Sequence, residues 1–342
     1  MDLREFCQRM PKVELHVHLE GSIRPETVLK LAERNNVALP ANTVEGLAEW
    51  YTFRDFPHFV DVYVAVSKCI RTADDLEFVA REFLEGQADQ NVLHTEITFT
   101  ASTIEKYAGI PWEEQFKALG RARAYGEKEL GVTCGYIIDI VRGDPAERGL
   151  EVAQWALAGR EYGVCALGLS GEERFGSDAY REAYDLARSE GLPIAAHAGE
   201  TKGAESIREI CSLTDPERIG HGVRILEDPK LTREFFLNQK PLEVCPTSNI
   251  RLGVFSALSD HPLPRMLDEG LYVTLNSDDP PMFGTTLTDE FIRCAEAFDF
   301  SEDILWTLTH NAAKAAFLPA EQRSELVQNV REEFNALQDE SK

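Results

Sequence analysis

What most constrains this chain is an alternation that runs through nearly all of its 342 residues. Short apolar runs at 12–19, 92–99, 132–141, 164–170, 192–197, 218–221, 242–245 and 271–276 read as β-strands. The intervals carry helical patterns over 74–90, 112–130, 145–162, 177–190, 203–212, 229–238 and 262–269, and three more helices follow at 286–298, 302–316 and 320–338. Strands this apolar need cover on both faces, which a parallel sheet with outer helices provides. Eight such units predict an α/β fold, a single (β/α)8 barrel of TIM type, over 1–342. A doubly wound open sheet is the alternative, but no Gly-x-Gly-x-x-Gly follows any strand. Residues 40–75 and 286–342 read as helical additions to the barrel. In the first of these, Phe53, Phe56, Phe59 and Tyr63 recur every three or four positions. That spacing makes either a stripe packed on the core or an apolar lid over the end of the first strand, where a flat ligand could lie.

Composition narrows the function. The formal charge is -24, from 35 basic and 59 acidic side chains, a field that repels nucleic acid and anionic membranes. The charged start, Met1-Asp-Leu-Arg-Glu, does not resemble a secretory signal, and no apolar run approaches the ~20 residues of a membrane span. Seven widely spaced cysteines without a Cys-x-x-Cys argue for a reducing compartment. The expectation is a cytoplasmic protein; its oligomeric state is not legible.

The first strand carries the first chemistry. Lys12, Glu14, His16 and His18 alternate with Val13, Leu15, Val17 and Leu19, so His16 and His18 share a face one pleat apart. Two imidazoles so placed can share a metal ion. In a barrel the carboxyl ends of all strands meet at one mouth. There the fourth strand brings Ser170-Gly171-Glu172-Glu173, the fifth His197-Ala-Gly-Glu200, the sixth His221 and the eighth Ser277-Asp278-Asp279-Pro280. His16, His18, His197 and Asp278 make a three-nitrogen, one-oxygen set that suits zinc, with iron or another first-row ion also compatible.

These stretches resemble the adenosine/adenine deaminase family of the amidohydrolase superfamily. The resemblance lies in Lys12-Val-Glu-Leu-His-Val-His-Leu-Glu-Gly-Ser22, Leu169-Ser-Gly-Glu172, His197-Ala-Gly-Glu200, Ile219-Gly-His-Gly222, Cys245-Pro-Thr-Ser-Asn249 and Asn276-Ser-Asp-Asp-Pro280. It implies one zinc ion per chain on His16, His18, His197 and Asp278. It also implies Glu200 as proton shuttle, with Glu172 the first alternative, and His221 and Asp279 acting on water and purine. Gly171 would meet the purine through its backbone, and Glu20, Phe53 and Phe56 are candidate substrate contacts. No lysine ends the fourth strand, where dinuclear relatives carry a bridging one.

The expected reaction is hydrolytic deamination of a 6-aminopurine. Glu20 stands where adenosine deaminases commonly have Asp, and Ser170-Gly171-Glu172 resembles the nucleoside enzymes' Ala-Gly-Asp more than the paired serines of adenine deaminases. This favours a nucleoside, adenosine or a 5′-modified one such as aminodeoxyfutalosine or methylthioadenosine, with free adenine as the alternative. A different metal hydrolase on the same scaffold, or a non-catalytic purine-binding protein, are the readings from other classes.

Overall fold

The computed structural model describes residues 1–341. Eight parallel strands follow one another in sequence order: β1 (Lys12–His18), β2 (Val92–Phe99), β3 (Thr133–Val141), β4 (Val164–Ser170), β5 (Ile194–Ala198), β6 (Arg218–His221), β7 (Leu242–Val244) and β8 (Val273–Leu275). They form a nearly closed barrel. Closure between β8 and β1 does not use a regular ladder. The Asn276 side chain accepts from the backbone N–H groups of Leu15 (2.9 Å) and His16 (3.1 Å). Asp278 then pairs with β1 through its own backbone, His18 N to Asp278 O at 2.9 Å and Asp278 N to His16 O at 3.1 Å. The short β8 is explained by this seam, in which the chain turns at 276–278 to cross onto β1.

Both faces of β1 are buried. Val13 and Leu15 face outward onto Ala312, Ala313, Leu326 and Val330, so the helices Glu302–Ala315 and Ala320–Ser341 cover the seam. Inside, the barrel is polar where branched apolar side chains are usual. Arg218 of β6 is 1% exposed and meets Glu96 of β2 at 2.6 Å and Glu243 of β7 at 2.5 Å. Side chains of β2 and β6 can meet only across the lumen. A buried cation between two carboxylates is tolerable because each partner satisfies the other.

Between β1 and β2 the chain forms the helices Pro25–Asn35, Val44–Trp50, Phe56–Ser67 and Ala73–Ala88. The helix at 56–67 starts where Asp55 accepts a hydrogen bond from His58 N at 2.9 Å, with Pro57 in its first turn. Several expected helices end differently. The 112–130 segment is α-helical over Trp112–Tyr125 and finishes in a π turn over Gly126–Leu130, and the one at 145–162 tightens to a 3-10 turn over Gly159–Tyr162. Short helices at Leu3–Arg9, Ala101–Ala108, Pro246–Arg251 and Pro280–Phe283 lack the length for a periodic signal and were not expected. Among the described residues no helix is long and apolar enough to cross a membrane, and all seven cysteines are free thiols.

Candidate active site

The strand ends bring four imidazoles and two carboxylates into one buried cluster. His16, His197, His221 and Asp278 offer ligand atoms within 4.8 Å of one another, as do His18, Asp278 and Asp279. His18 Nε2 lies 3.2 Å from His197 Nε2 and 3.3 Å from Asp278 Oδ1, and His16 Nε2 lies 3.5 Å from that same oxygen. Ligand atoms around a tetrahedral zinc, with bonds of about 2.0–2.1 Å, are separated by roughly 3.3 Å. His16 Nε2, moreover, is buried without a hydrogen-bond partner. The histidine and aspartate donors gathered here therefore fit a zinc-class ion.

The surroundings fix these rings. His16 Nδ1 faces Glu243 at 2.8 Å, and His197 Nδ1 donates to Leu169 O at 2.7 Å, which leaves both Nε2 atoms free to bind. Ser248 donates to Asp278 Oδ2 at 2.6 Å, and Asn249 links His221 (3.4 Å) to His261 (3.1 Å). Glu243, Ser248, Asn249 and Asn276 carried no assigned role in the sequence. Glu243 was detectable as a lone charge within an apolar strand, and the others lie in stretches quoted above without a function.

Two of the seven non-glycine residues with positive φ among the described residues lie here. His221 (φ 59°) and Asp278 (φ 66°) sit in the left-handed region, which costs a non-glycine residue about 1–3 kcal/mol. Gly21 admits Asp279, since a Cβ there would fall 1.6 Å from Asp279 Oδ1.

Burial sets the charges. It lifts the Glu200 carboxyl well above the usual range, and Asp278, Glu173 and Asp279 push the same way. Of the two aspartates, burial and its neighbour raise Asp279, whereas the imidazoles of His16 and His18 beside it outweigh burial and hold Asp278 low. Burial lowers His221 to about 3 and takes His197 well below its ordinary value. Burial also opposes a charge on His16, but Asp278 and Glu243 outweigh it and lift that imidazole to about 9. Burial opposes a charge on His18 too, but Asp278 again outweighs it and raises that imidazole; the cluster thus favours positive charge at its centre, which an ion supplies in place of protons. Glu200 Oε2 lies 3.6 Å from His221 Nε2, and Glu200 Oε1 and Asp279 Oδ1 have no hydrogen-bond partner.

A cavity opens beside the cluster. Phe56, Phe59, Val60, Tyr63 and Val64 of the 56–67 helix line one side, with Leu252, Val141, Thr100, Thr103, Ser170 and Gly171 completing it. Phe56 thus faces the cavity. Phe53 packs behind it, against Phe59 (5.2 Å between ring centres) and Phe283 (5.9 Å). Glu20 is fully buried and does not line the cavity; its oxygens accept from Tyr63 Oη and Thr100 N, both at 3.0 Å. Arg24 turns to Glu82 instead, at 2.8 Å. Glu172 pairs with Arg174 at 2.8 Å.

A nearly closed parallel barrel with histidines, aspartates and a buried acid at its mouth is the architecture of amidohydrolase-type enzymes. The chain belongs to the adenosine deaminase family, whose model matches residues 11–333, and it is a hydrolytic deaminase. It is 38% identical to an adenine deaminase of Stutzerimonas stutzeri over 314 residues, 92% of this chain and 99% of that one. It is 36% identical to the aminodeoxyfutalosine deaminase of Streptomyces avermitilis over 336 residues, 96% and 92% of the two chains. Among solved structures, an adenine deaminase of Arthrobacter aurescens superposes with a TM-score of 0.90 at 35% identity, covering 94% of this chain and 98% of that one. An amidohydrolase of Burkholderia ambifaria with bound Zn gives a TM-score of 0.90 at 25% identity, covering 98% and 93%.

Proposed function

We propose that the chain hydrolyses adenine to hypoxanthine and ammonia, with one zinc ion held by His16, His18, His197 and Asp278. The observation that carries this reading is the buried Glu200 carboxyl, raised well above the usual range and placed between the histidine cluster and the cavity walled by Phe56, Phe59, Tyr63 and Leu252. When bound, zinc lowers the pKa of a coordinated water towards 7. The remaining chemistry belongs to the protein. Phe56, Phe59, Tyr63 and Leu252 take up the flat ring, and Gly171 presents its backbone to the purine edge. Glu200, whose carboxyl burial raises, gives its proton to ring nitrogen N1 as water adds at C6. His221, held neutral, and Asp279 orient the attacking water and hold charge near the new C–O bond. A second proton transfer releases ammonia.

The base is preferred over the nucleoside, which reverses the order read from the sequence. Similarity to adenine deaminases supports this, and so does Glu20. Its two oxygens are taken by Tyr63 and Thr100, so it needs no donor from a sugar. Among the described residues, no charged side chain other than Glu200 and the cluster lines the cavity to meet a sugar. A 5′-modified nucleoside is the second reading, favoured by Ser170-Gly171-Glu172 in place of paired serines and by the aminodeoxyfutalosine deaminase relative. Initial rates with adenine, adenosine and 5′-modified adenosines decide the matter. The proposal expects adenine to have the highest kcat/KM, and a nucleoside ahead of it overturns the choice of base.

A further inference from the structure

Glu200 has no hydrogen bond that aims its carboxyl, since Oε1 is unpartnered and Oε2 approaches His221 only to 3.6 Å. Its direction is therefore set by the backbone of the segment between β5 and the helix Ala204–Leu213. That backbone is gathered around one side chain, Glu173, which lies just past β4 and is 3% exposed. Glu173 Oε1 accepts from Gly199 N (2.6 Å) and Ser206 Oγ (2.8 Å). Its Oε2 accepts from Glu200 N (3.2 Å), Thr201 N (2.6 Å), Thr201 Oγ1 (3.0 Å) and Lys202 N (2.7 Å). All six contacts are donors, and among the described residues no basic side chain pairs with it. An acceptor-only carboxylate matches that set; an amide, with one oxygen and an NH₂ group, does not. Four consecutive amides bound to one carboxylate leave the segment a single low-energy path.

We propose that Glu173 is the positioning residue for Glu200, fixing the 199–202 backbone so that the Glu200 carboxyl faces the His221 side of the cluster. This rests on the reading of Glu200 as the group that moves the proton. Of the Glu172–Glu173 pair, the sequence offers Glu172 as the first alternative to Glu200; in the structure Glu172 pairs with Arg174, and Glu173 acts without touching substrate.

The test uses the metal-loaded enzyme. In Glu173→Gln, kcat should fall about 100-fold, the loss that a misplacement of about 1 Å can produce, while KM and metal content stay near wild type. Hydrogen exchange at the amides of Gly199, Thr201 and Lys202 should accelerate without a rise across the barrel strands. Ser206→Ala removes one of the six donors and should lower kcat about fivefold, so the test survives if Glu173→Gln does not fold. A wild-type kcat in Ser206→Ala or in metal-loaded Glu173→Gln overturns the proposal, as does a fall in kcat without faster exchange at those amides. Glu200→Gln separates the two levels. If it stays active, the role of Glu200 fails; if it is inactive while Glu173→Gln is normal, only the role of Glu173 fails.

Discussion

Glu243 of β7 holds His16 of β1 across the barrel lumen, Oε2 to Nδ1 at 2.8 Å, while its other oxygen takes Arg218 Nε at 2.5 Å. The contact fixes the His16 tautomer with Nε2 free to bind, and it ties that ligand to an ion network on the barrel axis. Outer partners of this kind usually tune metal affinity by 10–100-fold. Glu243→Gln keeps the shape and one acceptor but loses the charge. We expect its metal affinity, measured by chelator competition, to fall by roughly that factor. Unchanged affinity would mean that Glu243 serves Arg218 alone.

Glu200→Gln removes the transferable proton and leaves the volume. Turnover should drop by at least about 10²–10⁴, the usual contribution of general acid–base catalysis, with metal content unaltered. Metal analysis and kcat on the same preparation check this, and near-normal turnover would place the proton transfer elsewhere.

Tyr63 joins the cavity wall to Glu20, its hydroxyl donating to Oε2 at 3.0 Å. Tyr63→Phe leaves a buried carboxylate oxygen without its donor and removes a hydrogen bond between the 56–67 helix and Glu20. Loss of one such bond, worth about 1 kcal/mol, predicts a roughly fivefold rise in KM with kcat little changed. Steady-state kinetics read the split; a fall in kcat with KM constant would place Tyr63 in the chemistry.

Glu290 gives a pH prediction outside the site. Burial raises its carboxyl to about 7 against hydrogen bonds from Thr247 and Thr285. The folded chain therefore keeps a proton that the unfolded chain, with a pKa near 4.5, gives up. Between these values the unfolded state binds fewer protons, so stability falls as pH rises. The penalty is complete above about 7 and amounts to roughly 3 kcal/mol. Glu290→Gln should gain on wild type by about that amount between pH 4.5 and 8 in denaturant unfolding. Parallel stability curves would contradict it.

How much of this was legible in sequence follows from the physics of each signal. The eight strands stood out because apolar runs flanked by helices carry a strong periodicity, and the histidines and aspartates because they interrupt such runs at strand ends. Short helices such as Pro246–Arg251 had too few residues to show a period. The barrel seam through Asn276, the Glu243–Arg218–Glu96 network and the six-donor site of Glu173 depend on contacts across 25 to more than 250 residues, which local pattern does not encode. Glu20 was a candidate substrate contact, but the 3-10 turn Glu20–Ser22 carries its side chain to Tyr63 and Thr100, a contact that local pattern does not encode.

The most direct test of the central claim is ammonia release from adenine by protein stripped of metal with a chelator and then titrated with zinc. The account predicts no activity in the stripped protein, one ammonia per hypoxanthine formed once zinc is restored, and saturation at one zinc per chain. Full turnover without metal, saturation only at two ions, or no ammonia from any 6-aminopurine with the site loaded would contradict it.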